Sequence, residues 1–270
     1  MRIEEKLIGL INNLLSRIRK ITYLRHEIHQ PNIAVFGTLT KVIDKIEDIK
    51  KLVSTQEDVV RECDSIIRSL KYSKNASRLF STIIENICAS LGGDDPALSL
   101  ERHNILNAID EAKNIFEIEA LEKEVILKPI EKRNVVSTYH IECDRGLIMR
   151  AFINAFNNAV KYSYYGVTEI AQRTITTKVW NLEKYFRISI ANYGVGIAKE
   201  EIDRVWEEGY RGILSSDRYR TGSGLGLYQV KKIVEAHKGK VQIESDPASE
   251  NYISGPYLTT LTIDLPYSHK

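Results

Sequence analysis

The stretch NAFNNAVKYS, residues 154–163, has the pattern of a helix with one polar face. Asn154 and Asn158 are four residues apart and therefore share a helix face, with Lys161 one turn further on. An amide oxygen is a suitable ligand for a hard cation such as Mg²⁺. A lysine ammonium suits a phosphate as a point charge. The alternative is an ordinary solvated helix face, and this stretch alone leaves both interpretations open.

The stretch ANYGVGIAKEEI, residues 191–202, begins as the end of a strand and continues into Asn192, Gly194 and Gly196. Glycines at alternate positions allow the backbone to approach a flat ligand closely. A plain strand-to-helix turn would have the same glycines, so this stretch also has a purely structural interpretation.

The stretch RTGSGLGLYQV, residues 220–230, places Gly222, Gly224 and Gly226 at the start of a predicted helix. Free N–H groups at a helix start, with no side chains in the way, form an anion site. The spacing is neither that of a dinucleotide-binding GxGxxG motif nor that of a Walker A motif. A flexible loop is the structural alternative.

The sequence around these stretches predicts helices and strands in no regular order. Helices are predicted at about 104–122, from a cap at Asp144 to about residue 164, and near 225–237. Strands are predicted at 124–129, 136–142, 174–180, 186–192, 240–245 and 258–265. Because these elements do not alternate as βαβ units, the fold class is α+β rather than doubly wound.

The first third of the chain has a different period. From Leu7 to Val53 apolar residues recur in alternating steps of four and three, with only Arg25 and Asn32 polar at these seam positions. STQE at 54–57 resembles a capping box for a second helix, which GGDDP at 92–96 would end. Residues 1–95 are therefore predicted to form a helical hairpin, and residues 96–270 a separate domain. Two hairpins would form a dimeric four-helix bundle, so a homodimer is expected.

Composition excludes several classes of protein. Lys and Arg number 38 against 36 Asp and Glu, so nothing favours nucleic acid or an anionic membrane surface. The cysteines are three, scattered and without a CxxC pair, which favours a reduced, cytoplasmic compartment over a disulfide framework. No apolar run approaches the ~20 residues that span a bilayer, so no membrane segment is expected.

In this order and spacing, the three stretches resemble the N, G1 and G2 boxes of the GHKL ATP-binding fold. VWEEGYRG, residues 205–212, resembles the F box between them. Upstream, HEIHQP at 26–31 is similar to the H box of sensor histidine kinases, in which His-Glu is followed by proline. The resemblance covers nearly the whole chain. It implies a GHKL-type α/β sandwich, with a mixed sheet against helices, after the dimerisation and phosphotransfer hairpin.

The resemblance to the H box implies an ATP-dependent protein histidine kinase. His26 would be the phosphoacceptor, and Glu27 would hold its other ring nitrogen. Pro31 would bend the helix beside the acceptor. The phosphoryl group would then pass to an aspartate on the receiver domain of a response regulator. Where the family has Thr or Asn to orient a water for dephosphorylation, this chain has Gln30. His29 is a rival acceptor on nearly the same helix face.

The resemblance to the other boxes implies an ATP and Mg²⁺ site. Asn158 would ligate Mg²⁺, supported by Asn154. At the position where the family usually has Asp, Asn192 would accept a hydrogen bond from the adenine amino group. The remaining residues implied to bind nucleotide are Lys161, Tyr162, Gly194, Gly196, Arg211, Arg218, Arg220, Gly222, Gly224 and Gly226.

Two other functions remain alternatives. One is a GHKL enzyme that hydrolyses ATP, such as a gyrase-like or mismatch-repair ATPase. Those enzymes carry a glutamate at the first N-box position, where this chain has Asn154, and they lack an H box. The other is a scaffold that binds nucleotide through a degraded kinase site.

Overall fold

A computed structural model describes residues 32, 35–92, 98–134, 139–163, 170–213, 223–248 and 256–268. The chain forms two compact units, Met1–Asp94 and Asp95–Lys270. The functions assigned above to residues 1–95 and 96–270 stay predictions. Within the described parts of the chain, no helix has an apolar stretch long enough to cross a bilayer.

The described part of the first unit consists of two helices. Helix α1 covers residues 35–52 and helix α2 covers Glu57–Gly92, with a turn at 53–55 between them. The predicted capping box is wrong, because Ser54 lies in the turn and α2 begins only at Glu57. The second helix itself is confirmed.

Side-chain contacts pair the two helices as an antiparallel hairpin. Near the turn, the Lys50 ammonium lies 2.6 Å from the Asp64 carboxylate. Further from the turn, the Lys74 ammonium lies 4.9 Å from the centroid of the Phe36 ring. Positions that lie earlier in α1 therefore face positions that lie later in α2.

Part of the predicted seam faces away from α2. Val35, Val42 and Ile49, which are seven residues apart, are 50%, 36% and 49% exposed. Ile43, one position outside the seam, is buried. Exposed apolar residues recur on α2 at Val59, Ile66, Phe80 and Ile87. Both helices therefore present an apolar stripe that the hairpin itself does not cover.

The second unit is built on a mixed sheet of six strands. The strands of this unit are β1 (Glu101–Asn104), β2 (Ile126–Leu127), β3 (Glu131–Arg133), β4 (His140–Cys143), β5 (Thr174–Asn181), β6 (Tyr185–Gly194), β7 (Lys240–Pro247) and β8 (Tyr257–Pro266). The sheet order is β2-β5-β6-β8-β7, and β3 also pairs with β5. Strands β2 and β3 run parallel to β5, and the other pairs are antiparallel. Strands β1 and β4 form a separate antiparallel pair.

In the part of this unit that the structure describes there are four α-helices: α3 (Ile105–Asn114), α4 (Glu117–Glu122), α5 (Arg145–Tyr162) and α6 (Gly226–Ala236). Helix α5 packs against α3, α6 and β6. Side chains of β6 alternate, so that Phe186, Ile188 and Ile190 are buried while the residues between them are half-exposed. The helices and this face of the sheet enclose the core, as predicted for a mixed sheet against helices.

Most predicted elements of this unit are confirmed, with specific differences. The predicted helix at 104–122 is two helices, because the fully buried Phe116 has φ −99° and ψ 4° and interrupts the helix. The strand predicted at 124–129 keeps only the two residues of β2. Strands β1 and β3 were not predicted.

Candidate functional site

Helix α5, which carries the N-box residues, is fixed at its start by two hydrogen bonds. The Asp144 carboxylate accepts from the Leu147 N–H at 3.0 Å and caps the helix, as predicted. The Asp144 N–H in turn donates to His237 Nε2 at 3.0 Å. His237 Nδ1 lies 2.7 Å from the Ile233 carbonyl, to which it donates in the tautomer that these partners require. His237 therefore ties the end of α6 to the start of α5.

The two N-box asparagines meet the start of α6. A methyl group on Gly226, the first residue of α6, would lie 3.4 Å from Asn158 Nδ2 and 3.7 Å from Asn154 Oδ1. Asn154 is buried and Asn158 is half-buried. The N box and the G2 box, about 70 residues apart in sequence, are thus adjacent. The arrangement places the two side-chain amides beside the first residue of α6, where a helix has N–H groups without intrahelical partners.

The end of β6 packs against the end of α5. A methyl group on Gly194 would lie only 2.0 Å from the Tyr162 carbonyl oxygen, so no larger residue fits there without a shift. The Val195 N–H donates to the same carbonyl at 3.2 Å. The close packing against Tyr162 therefore explains why this position is a glycine. The position of Gly194 beside an adenine pocket stays a prediction.

Asn192 lies beside this junction. It belongs to the inward-facing side of β6 and is 6% exposed. Its Nδ2 would lie 3.0 Å from a methyl group on Gly194. Lys161 and Tyr162, at the end of α5, are half-exposed, and the ammonium lies 4.9 Å from the ring centroid. The predicted base-reading residue and the predicted phosphate and ribose residues thus lie around the same helix end.

The loop after Gly194 is held by its own contacts. Gly196 has φ +76°, which favours glycine, and a methyl group on it would overlap the Tyr257 ring at 2.2 Å. The Ile197 N–H donates to Ser245 Oγ at 2.9 Å, which fixes the loop to β7.

Residues 209–213, the end of the predicted F box and the residue after it, approach the G2 glycines. Gly224 has φ +74°, and a methyl group on it would lie 2.5 Å from the Gly209 carbonyl. The Tyr210 hydroxyl donates to the Glu201 carboxylate, which also accepts from the Ile213 N–H at 2.9 Å. This hydrogen bond, with burial and the negative charge of Glu201, raises the pKa of Tyr210. Arg211 lies in this segment and is exposed.

Several predicted site residues lie outside the described residues. They are His26, Glu27, His29, Gln30, Pro31, Arg218, Arg220 and Gly222. Their roles stay predictions.

The donor chemistry fits a magnesium ion held partly by a phosphate ligand. Among the described residues, no group of three or more His, Cys, Asp or Glu side chains could hold a metal. Mg²⁺ in phosphate-binding sites commonly uses one or two protein oxygens, with phosphates and waters completing its shell. A single amide oxygen from Asn158, beside the α6 start, is compatible with that pattern.

Two polar contacts near the site were not predicted from the sequence. One is made by the Glu201 carboxylate with Tyr210 and Ile213. No local pattern distinguishes Glu201 from its neighbours Lys199 and Glu200. The other joins α5 to α6, where the buried Arg150 guanidinium donates to the Gln229 side-chain oxygen at 3.4 Å. Its partners are 79 residues apart.

Most of the second unit matches a known family of ATP-binding domains. Residues 143–269 match the model of the "Histidine kinase-, DNA gyrase B-, and HSP90-like ATPase" family. The chain is 38% identical over 113 residues to the probable sensor kinase SilS of Salmonella typhimurium, covering 42% of this chain and 22% of SilS. It is 26% identical to the sensor histidine kinase CusS of Escherichia coli K12 over 92% of this chain and 49% of CusS.

The fold also matches solved structures. Full-length ShkA in complex with AMPPNP is similar with a TM-score of 0.54 at 19% identity, over 92% of this chain and 46% of ShkA. At this identity the likeness concerns the fold alone. The chain spans about half or less of the length of the curated relatives SilS and CusS.

Proposed function

We propose that the chain is a protein histidine kinase, because residues 143–269 match the histidine kinase, gyrase B and HSP90 ATPase family and most of the chain is similar to a sensor histidine kinase. In this proposal it phosphorylates its own His26 from ATP and then transfers the phosphoryl group to an aspartate of a response regulator. The second unit binds the nucleotide and the hairpin carries the acceptor.

The observation that carries the proposal is the contact of the N-box asparagines with Gly226. It puts two side-chain amides of α5 beside Gly226, the first residue of α6. A helix start attracts phosphate through its free N–H groups and its dipole. A triphosphate lying there would have Asn158, supported by Asn154, within reach of its metal ion. Mg²⁺ held in this way would neutralise charge on the phosphates.

The adenine is proposed to lie near the junction of β6 with α5. Asn192 offers a carboxamide oxygen to the exocyclic amino group, and its burial strengthens such a hydrogen bond. Tyr162 and Lys161, half-exposed at the end of α5, would contact the ribose or base and the phosphates. Arg211 and Arg220 are the candidates to steady the γ-phosphate. Gly222 and Gly224 would border the phosphates.

Phosphoryl transfer needs positioning and charge neutralisation more than covalent chemistry from the protein. One imidazole nitrogen of His26 would attack the γ-phosphorus, and the bond to the bridging oxygen of ADP would break. Glu27 would accept a hydrogen bond from the other ring nitrogen and so favour the reactive tautomer. Gln30 would orient a water if the chain also dephosphorylates its regulator.

We propose a homodimer through the apolar stripe of the hairpin. Val35, Val42 and Ile49 on α1 and Val59 and Ile66 on α2 are all 36–50% exposed within one chain. Their seven-residue spacing is that of a helical bundle interface. A second hairpin would cover both stripes at once and complete a four-helix bundle. The composition and the scattered cysteines favour the cytoplasm for this core.

The test is incubation of the purified chain with γ-³²P-ATP and Mg²⁺, followed by acid and alkali treatment of the labelled protein. Phosphohistidine is lost in acid and survives alkali. We expect such label on the wild type and on His29→Ala, and none on His26→Ala, which should still bind ATP. ATP hydrolysis without label would favour the ATPase alternative, and nucleotide binding without either reaction would favour the scaffold. Label on His26→Ala would move the acceptor to His29.

A further inference from the structure

A buried carboxylate near the end of the stretch that resembles the G1 box holds the 209–213 segment. Glu201 ends a short 3-10 helix and is only 4% exposed. Its Oε1 accepts hydrogen bonds from the Tyr210 hydroxyl and from the Ile213 N–H. These two donors flank Arg211, so one carboxylate oxygen fixes the chain on both sides of that arginine.

The second oxygen of this carboxylate has no hydrogen bond from any residue that the structure describes. Oε2 is buried and would lie 3.3 Å from a methyl group on Gly212. A buried charged oxygen without a donor is costly. Because burying Oε2 without a donor destabilises the fold, the Glu201 carboxylate calls for an explanation other than the stability of its own loop.

The segment that Glu201 holds makes a further contact with the G2 loop. The Arg204 guanidinium lies 4.4 Å from the centroid of the Tyr210 ring, so the ring is held as well as the hydroxyl. On the backbone side, the carbonyl oxygens of Gly209 and Tyr210 would lie 2.5 and 2.7 Å from a methyl group on Gly224. Two residues after Gly224, Gly226 meets Asn158. A continuous set of contacts therefore leads from Glu201 to the start of α6.

We propose that Glu201 is a positioning residue for the γ-phosphate. It sets the direction of Arg211, which we have proposed to steady the γ-phosphate, and it seats residues 209–213 against Gly224. Glu201 itself touches no nucleotide. This inference rests on the proposed nucleotide site. Glu201 would help that site to discriminate ATP from ADP indirectly, through Arg211.

The experiment compares ATP and ADP binding to the full chain by calorimetry, together with the autophosphorylation rate. In Glu201→Ala we expect ATP affinity to fall about tenfold, because the loss of a buried hydrogen bond weakens binding by roughly a factor of ten. ADP affinity should stay within about twofold, because ADP has no γ-phosphate. In Tyr210→Phe, which keeps the ring over Arg204, ATP affinity should fall in the same direction. Glu201→Gln keeps an acceptor oxygen and should restore ATP binding to within about threefold.

The matched control is Glu200→Ala, at the neighbouring, exposed glutamate, which should bind both nucleotides as the wild type does. If Glu201→Ala fails to fold, Tyr210→Phe and Glu201→Gln still decide the question. Equal losses of ATP and ADP affinity in Tyr210→Phe, or no loss in either variant that lacks the hydrogen bond, would overturn the positioning role. A wild type that binds neither nucleotide would instead refute the proposed function, so the two failures are distinguishable.

Discussion

Replacement of Gly226 by alanine separates the fold from the proposed phosphate site. Gly226 is the first residue of α6, and its φ is not in the left-handed region. The added methyl group would lie 3.4 and 3.5 Å from the two terminal atoms of Asn158 and 3.7 Å from Asn154 Oδ1. These are ordinary van der Waals contacts, so the fold has room for the methyl group, but the gap between α5 and the helix start becomes smaller.

The two consequences have opposite signs. Gly→Ala at a compatible backbone position stabilises a protein by about 0.4–1 kcal/mol, which raises Tm by about 1–4 °C in a domain of this size. The nucleotide should bind less well, because the methyl group would lie against Asn158 in the space proposed for the phosphates. The loss of one hydrogen bond to a charged phosphate costs about 1.5–3 kcal/mol. That corresponds to a fall in ATP affinity of about tenfold to a hundredfold.

Thermal unfolding and ATP titration by calorimetry measure both effects on the same samples. Gly146→Ala is the matched control, since Gly146 lies in the first turn of α5 and its methyl group would lie 3.4 Å from Asp144 Oδ1. It should gain similar stability with unchanged ATP affinity. If Gly226→Ala is as stable as the wild type and binds ATP within twofold of it, the phosphates do not lie at the start of α6, and the assignment of this site is wrong.

Three further predictions concern the base, the dimer and a buried thiol. Asn192→Asp should keep or improve ATP affinity, because an ionised acceptor makes a stronger hydrogen bond. Asn192→Leu should lose the preference for ATP over GTP in titrations. If it keeps that preference, Asn192 does not contact the base. Val42→Glu, at a position 36% exposed in one chain, should convert a dimer to monomers in sedimentation, while Lys45→Glu on the same helix should not; a monomeric wild type at micromolar concentration would contradict the dimer. Burial mainly raises the pKa of the Cys143 thiol from 9.0 to about 11, so the thiol stabilises the fold below about pH 9 and this contribution is lost as the pH rises towards 11. Iodoacetamide at pH 8.5 should accordingly label the half-exposed Cys88 before Cys143 in peptide mass spectrometry, and equal labelling of the native protein would argue against that burial.

The elements that the sequence predicted correctly are those with a strong local period. Strands β5 and β6 alternate buried and half-exposed residues over most of their length, and each lies within two residues of its predicted limits. Strands β1 and β3 have only four and three residues, most of them charged or polar, so no alternation could be detected. The break between α3 and α4 lies at the buried Phe116, and an apolar helical pattern does not distinguish such a break from a continuous helix.

The site was predictable to the extent that its residues belong to local patterns. Asn154, Asn158 and the glycines stand out because amide and glycine residues recur at fixed short spacings. Glu201 has no such signal, since its significance depends on Tyr210 and Ile213 folding back onto it from nine and twelve residues later. A polar contact between distant positions becomes visible only when both partners are placed in space.

The seam of the hairpin shows the same limit. Asn32 interrupts the apolar period of the predicted first helix, and the sequence alone gives it no other role. In the structure its Nδ2 donates to the Ser77 carbonyl and to Ser81 Oγ, both at 2.6 Å, and Ser77 Oγ donates back to Asn32 Oδ1 at 2.7 Å. A shift of one helix along the other by a single turn would break all three hydrogen bonds and leave a polar layer without partners. Polar pairs of this kind fix register in helical bundles at some cost in stability. The apolar stripe at Val35, Val42 and Ile49 faces away from α2 and cannot fix the register within one chain. Asn32, six residues after His26 in sequence, therefore helps to align the two helices, although the apolar pattern treats it only as an interruption.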